Sequence, residues 1–175
     1  AVALGVRVRV ALVTGRSKST CSHWPTAGCS EFDTHAVAES PSTAAAGPLE
    51  GATRLSAHQG QSACVVAGAS RDLYCWGRNE PTMITGEGSD VDEPTRVGSD
   101  SDWSSVSVGY EHVCGLRSGG RLFCWGNGAG GQLGYEAEAE DTPTEVTPGV
   151  SYSLVRTSFA VTCAIRSADA AVVCF

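Results

Sequence analysis

The chain has 175 residues, in which 19 acidic side chains outnumber 12 lysines and arginines, so its net charge is −7. Proteins that read nucleic acid usually carry a basic stripe, and this balance argues against that class. The sequence has no apolar run long enough to cross a membrane, and its length suits one domain of ordinary size.

Residues 1–50 differ in composition from the rest of the chain. Ala1–Val13 is apolar but contains two arginines, which makes it a poor signal peptide; it fits the remnant of one, or a strand. Residues 21–50 are dense in Ser, Thr, Ala, Gly and Pro, as linkers are. We therefore expect residues 1–50 to be an N-terminal linker-like segment or a degraded copy of the repeat described below.

Two cysteines in this segment, Cys21 and Cys29, are predicted to pair with each other or to belong to such a degraded repeat. Together with His23 and His35 they also supply the residue types of a tetrahedral zinc site. Their spacing matches no recognised zinc finger, and eight cysteines point to an oxidising compartment, so we expect no metal site and no cofactor.

The first strand-rich region follows, with Cys64 and Cys75 on the two arms of a predicted hairpin. Residues 79–95 come after this hairpin and are predicted to form a long loop, because prolines and glycines interrupt them. Residues 127–141 are predicted to form the matching loop after the next hairpin.

That next hairpin is the clearest in the sequence. Its turn is centred on Gly119, which places Cys114 opposite Cys124 and Leu116 opposite Leu122. Directly opposed residues of antiparallel strands have Cα atoms about 4.5 to 5.5 Å apart, a distance that a disulfide accepts. The pattern therefore predicts a disulfide across the hairpin.

Both faces of this hairpin are apolar. Side chains alternate between the faces of a strand. One face therefore carries Cys114, Cys124, Leu116 and Leu122, and the other carries Val113, Phe123 and Trp125. Some other part of the protein must cover each face.

The hairpin recurs along the chain. Cys163 and Cys174 mark a third copy; the first cysteines of the three copies are 50 and then 49 residues apart, and the second cysteines 49 and then 50. A fixed period of this size indicates repeats of one structural unit. Strand-rich units that are apolar on both faces favour the blades of a β-propeller, in which neighbouring sheets cover each other.

The middle unit resembles the regulator-of-chromosome-condensation repeat in its cysteine-containing form. The matching residues are Trp103, Val106, Gly109, His112, Cys114, Leu116, Cys124, Trp125, Gly126, Gly131, Gln132, Leu133, Gly134, Pro143 and Val146. The resemblance implies an all-β fold of propeller repeats, usually seven blades, that acts as a binding scaffold. Founding members are guanine-nucleotide exchange factors on chromatin, but no exchange loop can be matched in this sequence.

The chain also departs from that pattern at several positions. Gly128 stands where the pattern has Asn, and Thr82–Thr85 replaces its Gly-Gln-Leu-Gly run in the first unit. Ser62 and Val161 occupy the position of His112 in the first and third units.

The repeat region spans residues 51–175, in units of about 51–98, 99–149 and a truncated 150–175. These two to three blades cannot close a seven-bladed ring, so we expect a fragment or a short form. An unclosed array exposes an apolar face, which predicts self-association.

Six cysteines in three facing pairs predict the disulfides Cys64–Cys75, Cys114–Cys124 and Cys163–Cys174. Such bonds indicate a secreted, periplasmic or cell-surface protein. The alternative is that these cysteines are buried and reduced.

Two motifs suggest chemistry but have structural explanations. Gly126–Gly131 has the Gly-x-Gly-x-x-Gly spelling of a dinucleotide loop, although no helix pattern follows it. His112 precedes Cys114 by two residues, as a base would precede a nucleophile, although Cys124 is the better partner for that cysteine.

The most suggestive feature is acidic. Glu87, Asp90, Asp92 and Glu93 lie in the first long segment between hairpins, and Glu136, Glu138, Glu140 and Asp141 lie in the second. The repeat period aligns the two sets, which predicts that they emerge on the same face. They suit a basic partner or a weak Ca²⁺ site; the alternative is charge that only keeps loops soluble.

These observations predict a non-catalytic scaffold that binds a protein partner, with neither nucleic acid nor a membrane involved. A guanine-nucleotide exchange regulator and a lyase or hydrolase on a propeller scaffold are the alternatives.

Overall fold

A computed structural model describes residues 49–175, apart from 59–60, 81–82, 85 and 87. The predictions for Cys21 and Cys29, for the zinc set and for Glu87 lie outside the described residues. The described part of the chain forms three antiparallel sheets of four, four and three strands. In each sheet the strand order follows the chain.

The strands of the three sheets occupy equivalent stretches of the repeat. The first sheet consists of β1 (Arg54–Ala57), β2 (Ser62–Ala67), β3 (Asp72–Gly77) and β4 (Val91–Arg96). The second consists of β5 (Trp103–Val108), β6 (His112–Arg117), β7 (Arg121–Asn127) and β8 (Ala139–Glu145). The third consists of β9 (Tyr152–Thr157), β10 (Thr162–Arg166) and β11 (Val172–Cys174).

The register of the central hairpin is the predicted one. Cys114 pairs with Cys124, and Leu116 pairs with Leu122, across a turn at Ser118–Gly120. The same register recurs in the other sheets, where Cys64 pairs with Cys75 and Cys163 with Cys174. The repeat therefore sets the pairing of all three hairpins.

The outer strands β4 and β8 are an exception to the sequence prediction. Both lie at the ends of segments that were expected to be loops, and each contains a proline, Pro94 or Pro143. Each pairs with one strand only and is the fourth strand of its sheet. Proline lacks an N–H donor, and a sheet tolerates it at an edge. The expectation that Pro94 breaks regular structure was wrong for that reason.

The two apolar faces of the second sheet enter two separate cores. Val113, Phe123 and Trp125 pack with residues of the first sheet such as Leu73 and Cys75. The opposite face packs with the third sheet; this core includes Cys114, Leu116, Leu122, Cys124, Tyr152, Val155 and Ala164. Neighbouring sheets therefore cover both faces of the central hairpin, as a propeller arrangement requires.

The segment after β3 forms part of the first core although its sequence departs from the repeat. Met83 and Ile84 are buried, as are Gln132 and Leu133 at the equivalent positions after β7. The indole Nε1 of Trp125 donates a hydrogen bond of 2.7 Å to the Met83 carbonyl. This bond uses the backbone, so the substitution of the side chain does not remove it.

Candidate functional site

The described residues form three disulfides, at the three pairs predicted across the hairpins: Cys64–Cys75, Cys114–Cys124 and Cys163–Cys174. Their Cα–Cα distances are 4.1, 4.2 and 4.1 Å. The first two disulfides are fully buried, whereas Cys174 of the third is exposed. Because Cys114 is bonded to Cys124, it offers no thiolate for a cysteine–histidine nucleophile.

His112 connects the second and third sheets. Its Nε2 lies 2.9 Å from the Thr162 hydroxyl oxygen, and that hydroxyl donates a hydrogen bond of 2.8 Å to the Gln132 carbonyl. Burial of the ring, with a smaller effect of the charge on His58, lowers the pKa of His112 to about 4. A buried, neutral histidine bonded in this way is a structural link between sheets.

The glycine-rich stretch Gly126–Gly131 does not form a phosphate loop. It begins within β7 and continues through turns, and the next regular element is strand β8. A dinucleotide loop works by presenting the N-terminus of a helix to a pyrophosphate. No helix follows here, so these glycines serve the turn between two strands.

The predicted acidic residues fall partly on strands and partly in the connecting loops. Asp92 and Glu93 lie in β4, and Glu140 and Asp141 lie in β8. The two sets occupy equivalent register, because Thr95 pairs with Cys75 while Thr144 pairs with Cys124. We call the described members the acidic rim: Asp90, Asp92, Glu93, Glu136, Glu138, Glu140 and Asp141.

Irregular pairing of the outer strands shapes the acidic rim. Between the Cys75 and Gly77 pairs, β4 contributes extra residues that include Asp92 and Glu93. β8 does the same beside Gly126, and Asp141 is among its extra residues. Such bulges bend an outer strand and re-aim its side chains.

Several rim carboxylates are exposed and have no ion pair with any residue that the structure describes: Asp92, Glu93, Glu136 and Glu138. Asp90 accepts a hydrogen bond of 3.2 Å from the backbone N–H of Asn79, and Glu140 accepts one of 3.1 Å from Thr142. Within the described ranges, no three acidic, histidine or cysteine side chains converge to hold a metal ion. The rim thus has the character of a charged surface.

A second feature, which the sequence prediction missed, is a cavity of about 540 Å³ along the first strands of the three sheets, β1, β5 and β9. We call it the inner groove. Its polar lining includes Arg54, Ser56, Ser105, Ser107 and Arg156. The signal in the sequence was a departure from the repeat, since Arg156 opposes Cys163 just as Ser107 opposes Cys114.

Three repeated antiparallel sheets, packed face to face, define the class of protein as one built from β-propeller repeats. The chain carries repeats of the regulator of chromosome condensation (RCC1) family: one RCC1 repeat model matches residues 103–132 and another matches residues 119–163. No curated protein sequence matches the chain.

Solved structures of similar fold include human WBSCR16, at 17% identity and a TM-score of 0.57, covering 66% of this chain and 32% of that one. Yeast RCC1 (Prp20), in a crystal structure with Kap60, is similar at 17% identity and a TM-score of 0.55. That match covers 63% of this chain and 29% of the yeast chain. A structure of Prp20p from Saccharomyces cerevisiae, described with its binding properties to Gsp1p and histones, is similar at 17% identity and a TM-score of 0.53. That match covers 61% of this chain and 29% of Prp20p.

The chain therefore spans about a third of the length of these structures. At this level of identity they show the fold, and the incomplete propeller predicted from the repeat is confirmed. In the described part of the chain, no helix is long and apolar enough to cross a membrane.

Proposed function

We propose that this protein is a non-catalytic interaction scaffold that acts outside the cytoplasm and binds a basic protein partner through its acidic rim. The observation that carries the proposal is the set of exposed rim carboxylates without an ion pair among the described residues. Asp92 and Glu93 stand at the bulge of β4, and Glu136 and Glu138 lie in the loop before β8.

Charge supports a basic partner. The chain carries a net charge of −7, and complementary surface charge speeds the encounter of two proteins and suppresses wrong partners. In the described region, Arg96 and Arg117 already lie beside Asp72, Asp100 and Asp102. The rim, by contrast, keeps Asp92, Glu93, Glu136 and Glu138 available.

The state of the reactive side chains supports a scaffold. The six described cysteines are in disulfides, and His112 is buried and bonded to Thr162. A catalytic base or nucleophile needs access to a substrate. A cysteine in a disulfide has no thiolate to act as a nucleophile, and the burial of His112 removes it from contact with a substrate.

The structural relatives also point to protein partners. Yeast Prp20 was crystallised with Kap60, and a second structure of it is described with its binding properties to Gsp1p and histones. These properties belong to that yeast protein, and they support the view that the fold presents surfaces to other proteins. No residue pattern in this chain favours nucleotide exchange over other forms of protein binding.

The disulfides support a location in an oxidising compartment. Three bonds hold the hairpins, and such bonds persist in secreted, periplasmic and cell-surface proteins, whereas they are rare in the cytosol. Thiol counting on protein taken from its native compartment tests this point: free thiols at these six positions would contradict it.

Binding of a labelled oligolysine peptide, followed by fluorescence anisotropy at low and physiological salt, tests the acidic rim. We expect Glu136→Lys with Glu138→Lys to weaken binding about tenfold or more and to reduce its dependence on salt. Glu136→Lys alone is compared with Glu50→Lys, which changes the net charge equally at an exposed position before β1. Equal losses in these two variants would show that only net charge matters, and would end the proposal.

A further inference from the structure

The inner groove has the opposite charge to the acidic rim. Two arginines, Arg54 and Arg156, line it, and no carboxylate is among the described residues that do so. We infer that the inner groove binds a carboxylate-rich peptide segment of a partner protein, with Arg54 and Arg156 each holding a carboxylate. This second surface goes beyond the proposed function, because it selects acidic rather than basic ligands.

Arg54 and Arg156 differ from most other described arginines, which form ion pairs. Among the described residues, each donates one side-chain hydrogen bond, of 2.8 Å, to the backbone carbonyl of the residue before it, Thr53 or Val155. Neither has an ion pair with a described residue. Five other arginines of the described region each lie beside a carboxylate: Arg78, Arg96, Arg117, Arg121 and Arg166.

The repeat shows that Arg156 is not needed for sheet packing. The Ser56 hydroxyl oxygen accepts a hydrogen bond of 3.0 Å from the Val108 N–H of the next sheet. Ser107 accepts one of 2.9 Å from the Thr157 N–H in the same way. Arg156 stands at this position in the third sheet, and a guanidinium has no acceptor with which to make that bond.

Hydroxyl groups add further donors to the groove. The Ser105 hydroxyl is buried and has no hydrogen-bond partner in the part of the chain that the structure describes. An unpaired buried donor is unfavourable, and a ligand oxygen at this position would give it a partner. Ser56 receives an N–H from Val108, and its own proton remains to be donated. The groove therefore offers the hydroxyl protons of Ser56 and Ser105 beside its two guanidinium groups, which are the donors that an anionic ligand requires.

The shape of the groove favours a peptide over a small anion. Its two arginines come from the first and third sheets, with the serines of β5 between them, which suits an extended ligand. Leu55, Val106, Leu116 and Leu154 also line the groove and offer apolar contact to the methylene groups of a peptide. Arginine binds carboxylates in a bidentate manner, which gives orientation as well as affinity.

Anisotropy of a labelled peptide of alternating glutamate and leucine tests this inference on the full chain. We expect saturable binding that Arg54→Gln and Arg156→Gln each weaken about tenfold or more. Arg156→Lys, which keeps the charge but loses the bidentate geometry, should weaken binding severalfold. Arg71→Gln is the matched control, because this exposed arginine lies outside the groove and bonds Ser118.

The outcomes separate this inference from its alternatives. Equal loss in Arg71→Gln and Arg156→Gln, or the absence of saturable binding, would overturn it. Inorganic phosphate that displaces the peptide at concentrations as low as the peptide's own Kd would show an oxyanion site instead of a peptide groove. Glu136→Lys with Glu138→Lys should leave this binding intact or strengthen it, so a failed acidic-rim proposal and a failed groove proposal give different results.

Discussion

A single hydrogen bond decides which ring nitrogen of His112 carries the proton. A carbonyl can only accept, so the Thr162 hydroxyl donates its one proton to the Gln132 carbonyl. Nε2 of His112 must therefore be the donor toward Thr162, and Nδ1 is the unprotonated nitrogen. Nδ1 has no partner among the described residues, so protonating it would place an unpaired charge in the core.

This arrangement predicts a loss of stability in mild acid. The pKa of His112 in the folded chain, about 4, lies below the ordinary value of 6.5, so the unfolded chain takes up the proton first as the pH falls. The contribution of neutral His112 to the free energy of unfolding is therefore complete above pH 6.5. It declines as the pH falls toward 4, by about 3 kcal/mol at most.

Chemical denaturation of the wild type and of His112→Gln across this pH range tests the prediction. Glutamine can still donate to Thr162 but does not titrate. This variant should therefore lose most of the slope of the free energy of unfolding against pH. His58→Gln is the control and should keep the slope, because His112 remains. A wild-type slope that survives in His112→Gln would assign it to another group.

Gly128 shows why a departure from the repeat pattern need not be a defect. Asn79 at the equivalent position of the first unit accepts a hydrogen bond of 2.7 Å from the Ile84 N–H. At Gly128, an added Cβ would lie 2.1 Å from the Ala137 carbonyl oxygen, nearer than real atoms approach. The local backbone path of the second unit therefore excludes the asparagine of the pattern.

We predict that Gly128→Asn, which restores the pattern, destabilises the protein by about 2 kcal/mol or more because the backbone must move. Gly98→Asn is the matched control: Gly98 has a φ of +59°, which asparagine tolerates, and open space for a Cβ. Urea denaturation of both variants measures the difference. Equal stabilities would show that the Ala137 segment adapts freely.

At the scale of the elements, the hairpin is the repeated unit, and its disulfide sits in a different environment in each sheet. Cys64, Cys75, Cys114 and Cys124 have no exposed surface, whereas Cys163 is half-buried and Cys174 is exposed. Each bond joins residues 10 or 11 apart in sequence, so loop entropy gives each a similar stabilisation of about 3 kcal/mol. Access to reductant, however, differs between them.

We therefore predict that the third disulfide is reduced first under native conditions, because a reducing thiolate must reach a sulfur atom. Limited reduction followed by alkylation and mass spectrometry should label Cys163 and Cys174 well before the other four cysteines. Simultaneous labelling of all six would mean that reduction requires global unfolding.

At the scale of the whole molecule, the second sheet has a neighbour on each face, and the third sheet has a described neighbour on one face only. Val172 pairs with Ile165 as Leu122 pairs with Leu116, so these positions are equivalent. Leu122 is 0% exposed, but Val172 is 67% exposed. The same residue position thus packs in a core in one sheet and faces outward in the other.

This exposed apolar surface predicts that the 175-residue chain self-associates, because covering it removes apolar area from water. Val172→Lys should shift the chain toward monomer in sedimentation velocity experiments. Ser167→Lys adds the same charge at the exposed turn of the same hairpin and should leave the association unchanged. A monomeric wild type at high concentration would contradict the prediction.

Local spacing was enough to predict the hairpins. Cys114 faces Cys124 because the turn lies midway between them, and the period carries the same pairing to Cys64 and Cys163. The two apolar faces follow from strand alternation alone, and they indicated that neighbouring sheets had to cover them. The bulged strand β4 was missed because Pro94 looks like a loop residue until its place at a sheet edge is known, and β8 begins at Ala139, inside the segment 127–141 that was predicted to be a loop.

The sequence by itself determined the unit, its disulfides and its repetition, since each depends on residues about ten positions apart or on a regular period. Only the tertiary structure decided that Thr162 holds His112, and that Arg54 and Arg156 share a groove. These residues are distant in the chain, and the packing of one sheet on the next brings them together. A pattern within one repeat contains no information about such contacts between repeats.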